Sequence, residues 1–89
     1  MKITSIQDLS SAVRGRRLSL GLSQAGVAAR AGVSRDWVSY FEIGKPTVEM
    51  GRVFRVLDAL GLSLSLDDDG PGPGLTIDLD ALLGDYENR

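Results

Sequence analysis

Cysteine and histidine are both missing from these 89 residues. Without thiols there is no disulfide framework, and without thiols or imidazoles the usual zinc, haem and thiolate-nucleophile chemistry has no ligands. Catalysis would fall to carboxylates, hydroxyls, a few amines and tyrosine, so no enzyme is expected, and neither is a cofactor or a metal. Long apolar runs are missing too, since nothing approaches the roughly 18 residues needed to cross a bilayer. The opening MKITSIQDL has a lysine but lacks the apolar stretch that would follow it in a secretory signal. A cytoplasmic protein without membrane contact is the expectation. The acidic run Asp67, Asp68, Asp69 lacks the pattern of a calcium loop, because Pro71 interrupts it and Asp78 stands where the final Glu belongs.

What is present suits one soluble domain. A chain of this size buries about 60–65% of its unfolded surface and has nothing to spare for a second core. The formal net charge of −2 argues at first against a nucleic-acid partner, whose binders carry a basic footprint. The average conceals an asymmetry. Residues 1–62 hold nine Lys and Arg against five Asp and Glu, a net of +4, whereas residues 63–89 hold seven acids against Arg89 alone, a net of −6. A basic body precedes an acidic tail.

Ser5 followed by Asp8 reads as a capping box with Asp in place of Glu, and Ile6, Leu9, Val13 and Leu20 recur at helical spacing until Gly21. Ser23 caps a short second helix with Val27 and Ala28 facing inward, and Gly32 suits a left-handed turn. Ser34 caps a third helix with Val38 and Phe41 on its inner face, ended by Gly44, Lys45 and Pro46. Thr47 is expected to cap a fourth helix through Leu60, with Val53, Leu57 and Leu60 as its stripe, widened by Phe54 and Val56. Residues 62–66 (LSLSL) then switch to a period of 2, which reads as a strand with Leu62, Leu64 and Leu66 on one face. Residues 67–74 (DDDGPGPG) form a loop or linker. Residues 75–79 alternate again, and Asp80 can cap a last half-helix. The expected division is therefore a body over 1–61, a strand over 62–66 and an acidic Pro/Gly-containing tail over 67–89.

Two short helices joined by a Gly-containing turn form the arrangement in which one helix crosses the DNA backbone and the next enters the major groove. On the third helix Ser34, Arg35, Asp36, Ser39 and Tyr40 fall opposite Val38 and Phe41, and are the candidates for base contact. Arg35 leads them, because its fork can bond guanine O6 and N7 together. Asp36 can accept from cytosine N4 or orient Arg35. Ser23 and Gln24, at the positive end of the second helix, suit a phosphate, and Lys45, Arg14 and Arg16 are further phosphate candidates. Trp37 reads as packing at the edge of the core.

The run LSQAGVAARAGVSRDWVSYFEIGK resembles the Cro/C1-type (XRE-like, λ-repressor-like) helix-turn-helix family. Gln24, Ala28, Gly32, Val33, Ser34, Val38, Glu42, Gly44 and Lys45 stand where that family places them, and the resemblance covers roughly residues 5–62. SRDWVSYFEIGKPTVEMGRVFRVLDALGLSL is similar to the HipB-type antitoxins within it. The resemblance implies a mainly α, λ-repressor-like domain of four to five helices and an Arg17–Glu42 pair bridging the first and third helices. It also implies a dimeric repressor of its own operon that binds a HipA-type Ser/Thr kinase toxin. The acidic tail departs from the family pattern.

One recognition helix covers half an operator, so two-fold dimers on pseudo-palindromic double-stranded DNA are expected. A lone strand leaves backbone groups unpaired, and pairing of residues 62–66 with a second chain would satisfy them; the intrachain alternative is a hairpin with residues 75–79. The tail is read as a solubilising end, as a segment that folds on a partner, or as a competitor for the basic face. Beside the antitoxin, the open functions are a stand-alone transcription regulator and an interaction module without DNA binding.

Overall fold

Four α-helices make up the regular structure of the computed structural model, which describes residues 2–68. They are α1 (Ile6–Ser19), α2 (Gln24–Ala31), α3 (Arg35–Glu42) and α4 (Met50–Ala59). Three of the starts follow from serine caps. Extended backbone at Ser5, Ser23 and Ser34 lets each hydroxyl accept from the backbone N–H three residues on, at 3.1, 2.9 and 3.0 Å. At α1 the return bond of the capping box lands one residue early: the Asp8 carboxylate accepts from the Thr4 backbone N–H and hydroxyl, both at 3.0 Å. Those bonds hold the Asp8 carboxyl below its ordinary pKa. A carboxylate lowered on folding stabilises the native state at neutral pH, and that contribution fades as pH falls through the lowered value.

The ends follow from glycine. Gly32 at φ +70° and Gly44 at φ +80° turn the chain out of α2 and α3 through the left-handed region that side chains avoid. The fourth helix begins later than its sequence suggests. Val48 packs against the core, and Glu49 rather than Thr47 closes the first turn, its carbonyl accepting from the Arg52 and Val53 N–H groups. Burying a valine outweighs a threonine cap worth about 1 kcal/mol.

Every helix contributes to one apolar core: Leu9 and Val13 from α1, Val27 and Ala28 from α2, Val38 and Phe41 from α3, and Val53, Val56 and Leu57 from α4, with Leu60 behind them. The second helix lies against both α3 and α4, and α1 lies against α3. Two expected core positions are outside it. Phe54 is 53% exposed because the inward arc of α4 is filled by Val53, Val56 and Leu57, and Leu20 sits past the end of α1 with its side chain in solvent.

Residues 62–68 have no regular secondary structure, so the strand expected over 62–66 has no ladder within the described chain. A strand needs a second backbone to bond to, and no other described segment supplies one. The three leucines also part company: Leu62 packs on its own core, whereas Leu64 is 40% and Leu66 99% exposed. The second alternating run and the half-helix from Asp80 lie outside the described residues. Among those described, no helix is long and apolar enough to cross a membrane.

Gly32 and Gly15 offer matched tests of these backbone demands, since a Cβ added to either meets no atom within 4 Å. Gly32→Ala should destabilise the fold by about 1–2 kcal/mol through its left-handed backbone. Gly15→Ala, inside α1, should stabilise it by about 0.5–1 kcal/mol. Urea denaturation of the two variants reads both values, and shifts of equal sign would refute the conformational assignment.

Candidate nucleic-acid interface

Between Ala31 and Arg35 the turn is only three residues, Gly32, Val33 and Ser34, so α2 fixes where α3 begins. The inner side of α3 is committed to packing: Val38 and Phe41 are fully buried, and the Trp37 ring stacks on Phe41 at 5.3 Å between centroids. Trp37 is thus an edge of the core, as its place beside Val38 suggested. Its outer side carries exposed Arg35, Asp36 and Tyr40 with half-buried Ser39, which share one face by helical spacing, and Ser34 stands exposed at the start. Neither Arg35 nor Asp36 makes an ion pair among the described residues, so Asp36 does not orient Arg35 in the free chain. Both are available to a ligand.

Lys45 joins this face. The turn at Gly44 folds the chain back so that the Lys45 Nζ lies 5.6 Å from the centre of the Tyr40 ring, a cation–π contact that sets a positive charge beside the helix. The linear sequence gave no sign of this pairing beyond Gly44 itself.

Serine hydroxyls at the two helix starts act as cap acceptors, which leaves each O–H proton free to donate to an anion. The unbonded N–H groups of the first turns and the helix dipoles add to that preference. The Gln24 amide is more constrained than its sequence position implies, since Nε2 donates to Glu42 Oε1 at 3.3 Å. Arg16 is also engaged. Its Nε donates to the Leu60 carbonyl at 3.0 Å, capping the C-terminal end of α4, which has no basic residue in its own last turn. Of the α1 cations considered for phosphate, Arg14 is exposed and has no side-chain bond among the described residues.

Behind the face sits a charged pair. Arg17 Nε and Nη2 donate to Glu42 Oε2 and Oε1 at 2.7 and 2.9 Å, and Nη1 donates to the Leu22 carbonyl at 2.9 Å. The side chains are 10% and 2% exposed. Hydrogen bonds donated to Glu42 raise the guanidinium pKa further, against the opposing effect of burial, so Arg17 is held charged. Through this fork the last turn of α3 is bolted to α1 and to the loop entering α2, while the Gln24 amide adds a hydrogen bond from α2.

The arrangement has known relatives. A family model described as a helix-turn-helix domain matches residues 8–68. The chain belongs to that family. A protein of Sinorhizobium fredii, named as an uncharacterized HTH-type transcriptional regulator, is 37% identical over 62 residues, covering 70% of this chain and 82% of its own length. Among solved structures, HipB in a complex with a 20mer called O4 superposes with a TM-score of 0.73 at 29% identity, covering 78% of this chain and 97% of that one. A HipA–HipB–O2–O3 complex contains a chain that matches with a TM-score of 0.74 at 29% identity and the same coverage. The protein is a helix-turn-helix transcriptional regulator with a HipB-like fold.

Glu42→Ala isolates what the buried pair does. Removing one partner leaves the Arg17 guanidinium buried without its counter-charge, which should cost about 3–5 kcal/mol. Denaturant unfolding measures this, and a loss below about 1 kcal/mol would place the pair among surface ion pairs instead.

Proposed function

We propose that this protein is a sequence-specific DNA-binding repressor, the HipB-like antitoxin of a toxin–antitoxin module that represses its own operon and binds a HipA-like kinase toxin. What carries the reading is the outer face of α3: a polar, exposed strip led by Arg35, which has no ion pair among the described residues, on a helix locked from behind, in a fold shared with HipB in 20mer and HipA complexes. Arg35 reads a guanine, Asp36, Ser39 and Tyr40 contact neighbouring base edges, and Ser34 meets the DNA at the start of the helix. Ser23, Gln24, Lys45 and Arg14 hold phosphates and set the register. Arg16 braces α4 through its Nε bond to Leu60, which leaves its Nη groups to meet a phosphate. The protein works as a homodimer in the cytoplasm, on a pseudo-palindromic operator, with exposed Leu64 and Leu66 contributing to the pairing of the two chains.

Titrating the upstream DNA and a random duplex with the protein across a salt series tests the DNA reading. Operator affinity should fall steeply as salt rises, and Arg35→Ala should weaken operator binding by about 1–3 kcal/mol while leaving random DNA nearly unchanged. Equal weakening on both would make Arg35 a phosphate contact, and an upstream fragment bound no better than random would reject the repressor. Co-purification with a kinase encoded next door distinguishes the antitoxin from a stand-alone regulator, which would bind the operator and no kinase.

A further inference from the structure

The end of α3 is gripped from α1 at two places. One is the fork of Arg17 on Glu42. The other lies just past the helix, where the Gln7 Nε2 donates to the Gly44 carbonyl at 3.2 Å, joining positions 37 apart in the chain. The last turn of α3 has no basic residue to answer carbonyls at that end, so the donor comes from the neighbouring helix. The two segments also touch. A Cβ added to Gly44 would stand 3.3 Å from the Gln7 Cγ and 3.8 Å from its Cα, so only a residue without a side chain lets the turn lie this close to α1. Gln7 itself is a fixed post, because it belongs to the first turn of α1, which the Ser5 cap and the Asp8 bonds hold in place.

The group that Gln7 holds is the peptide unit that carries the Lys45 nitrogen. Since a peptide is planar, fixing the Gly44 carbonyl also fixes the plane from which Lys45 departs. Pro46 then restricts the Lys45 backbone from the other side, as proline does to the residue before it. Only the side-chain torsions are left, and the Nζ rests 5.6 Å from the centre of the Tyr40 ring. We propose that Gln7 is a positioning residue for DNA binding, which acts by setting Lys45 in advance for a backbone phosphate. A lysine whose backbone is already placed loses less freedom on binding than one on a loose turn. The inference rests on the DNA-binding reading above and adds to it a residue of α1 that works through Lys45.

Titrating a random duplex and the upstream DNA with the full-length protein across a salt series tests this, using Gln7→Met, Lys45→Ala and the double variant. Methionine keeps the length of the stem and loses the donor, and thermal unfolding checks that each variant stays folded. Gln7→Met should weaken binding to both duplexes about 3- to 10-fold, and should make the fall of affinity with salt shallower by up to about 0.9 in log–log slope, the share of one phosphate. In the Lys45→Ala background the same substitution should change neither quantity. A residue that served the fold alone would lower the thermal midpoint and add the same loss in both backgrounds with the slope unchanged, and that result, or no loss at all, would overturn the inference. If Lys45→Ala leaves affinity and slope as they were, Lys45 meets no phosphate, and the inference fails while the repressor stands on its preference for the upstream DNA. An upstream fragment bound no better than random rejects the repressor instead, with Gln7 still judged by the slopes on random DNA. A chain that binds neither duplex rejects both.

Discussion

The bidentate contact between Arg17 and Glu42 is the constraint on which the geometry of this domain depends. The third helix is eight residues long, well below the dozen or so that a helix needs to persist in water unaided, so its direction is set by what holds it. Apolar packing of Val38 and Phe41 fixes how deep it lies but is tolerant of rotation and sliding. A guanidinium fork on a carboxylate is not tolerant, because two parallel bonds at 2.7 and 2.9 Å require one orientation of both groups. Desolvating two charges returns little net stability. Its effect is to select one arrangement among several that the aliphatic core would accept.

That selection matters because the helix has two incompatible jobs. Its inner side must bury Val38, Phe41 and part of Trp37, and its outer side must keep Arg35, Asp36 and Tyr40 in solvent. A small rotation about the helix axis would trade one set against the other. Glu42, at the last turn, sits where such a rotation is resisted from α1, and the Gln24 amide adds a lighter restraint from α2. Lys45, held over Tyr40, then extends the outer face beyond the end of the helix at no cost to the core.

Local chemistry made most of the fold legible in the sequence. Serine caps, left-handed glycines and the 3.6-residue period act over four or five residues, and they located the first three helices, the turn between α2 and α3 and the core residues Val27, Val38 and Phe41. The misreadings share a cause. Thr47 is a better cap than Glu49 by local rules, yet burial of Val48 decided the start of α4. Phe54 widens the stripe of α4 on paper, but how wide an arc is buried depends on the neighbours, which periodicity does not record. Leu62 alternates with Leu64 and Leu66 but belongs to the core, since the turn after α4 tucks it inward. The bonds of Arg16 to Leu60 and of Gln24 to Glu42 join residues 44 and 18 positions apart, and no local pattern announces them. The Arg17–Glu42 bridge was legible only because the chain resembles a family in which it recurs.

A formal charge of −2 is a poor guide to how this surface meets a polyanion, and the structure explains why. Fields between exposed charges fade over a screening length of about 8 Å at physiological salt, so local surroundings count for more than the sum. The cations of the body are not equivalent. Arg17 is buried against Glu42, Arg16 is bonded to a carbonyl, and Arg52 is paired with Glu49 at 3.2 Å. Arg17 and Arg52 contribute little to an approaching phosphate, whereas Arg16, bonded through Nε to a neutral carbonyl, keeps its charge. Arg14, Arg30, Arg35 and Arg55 are exposed and carry no ion pair among the described residues, and Lys45 is balanced only by an aromatic face. Seven of the chain's twelve acids follow residue 66 in the sequence, so the stretch that builds the four helices is net positive although the whole chain is not.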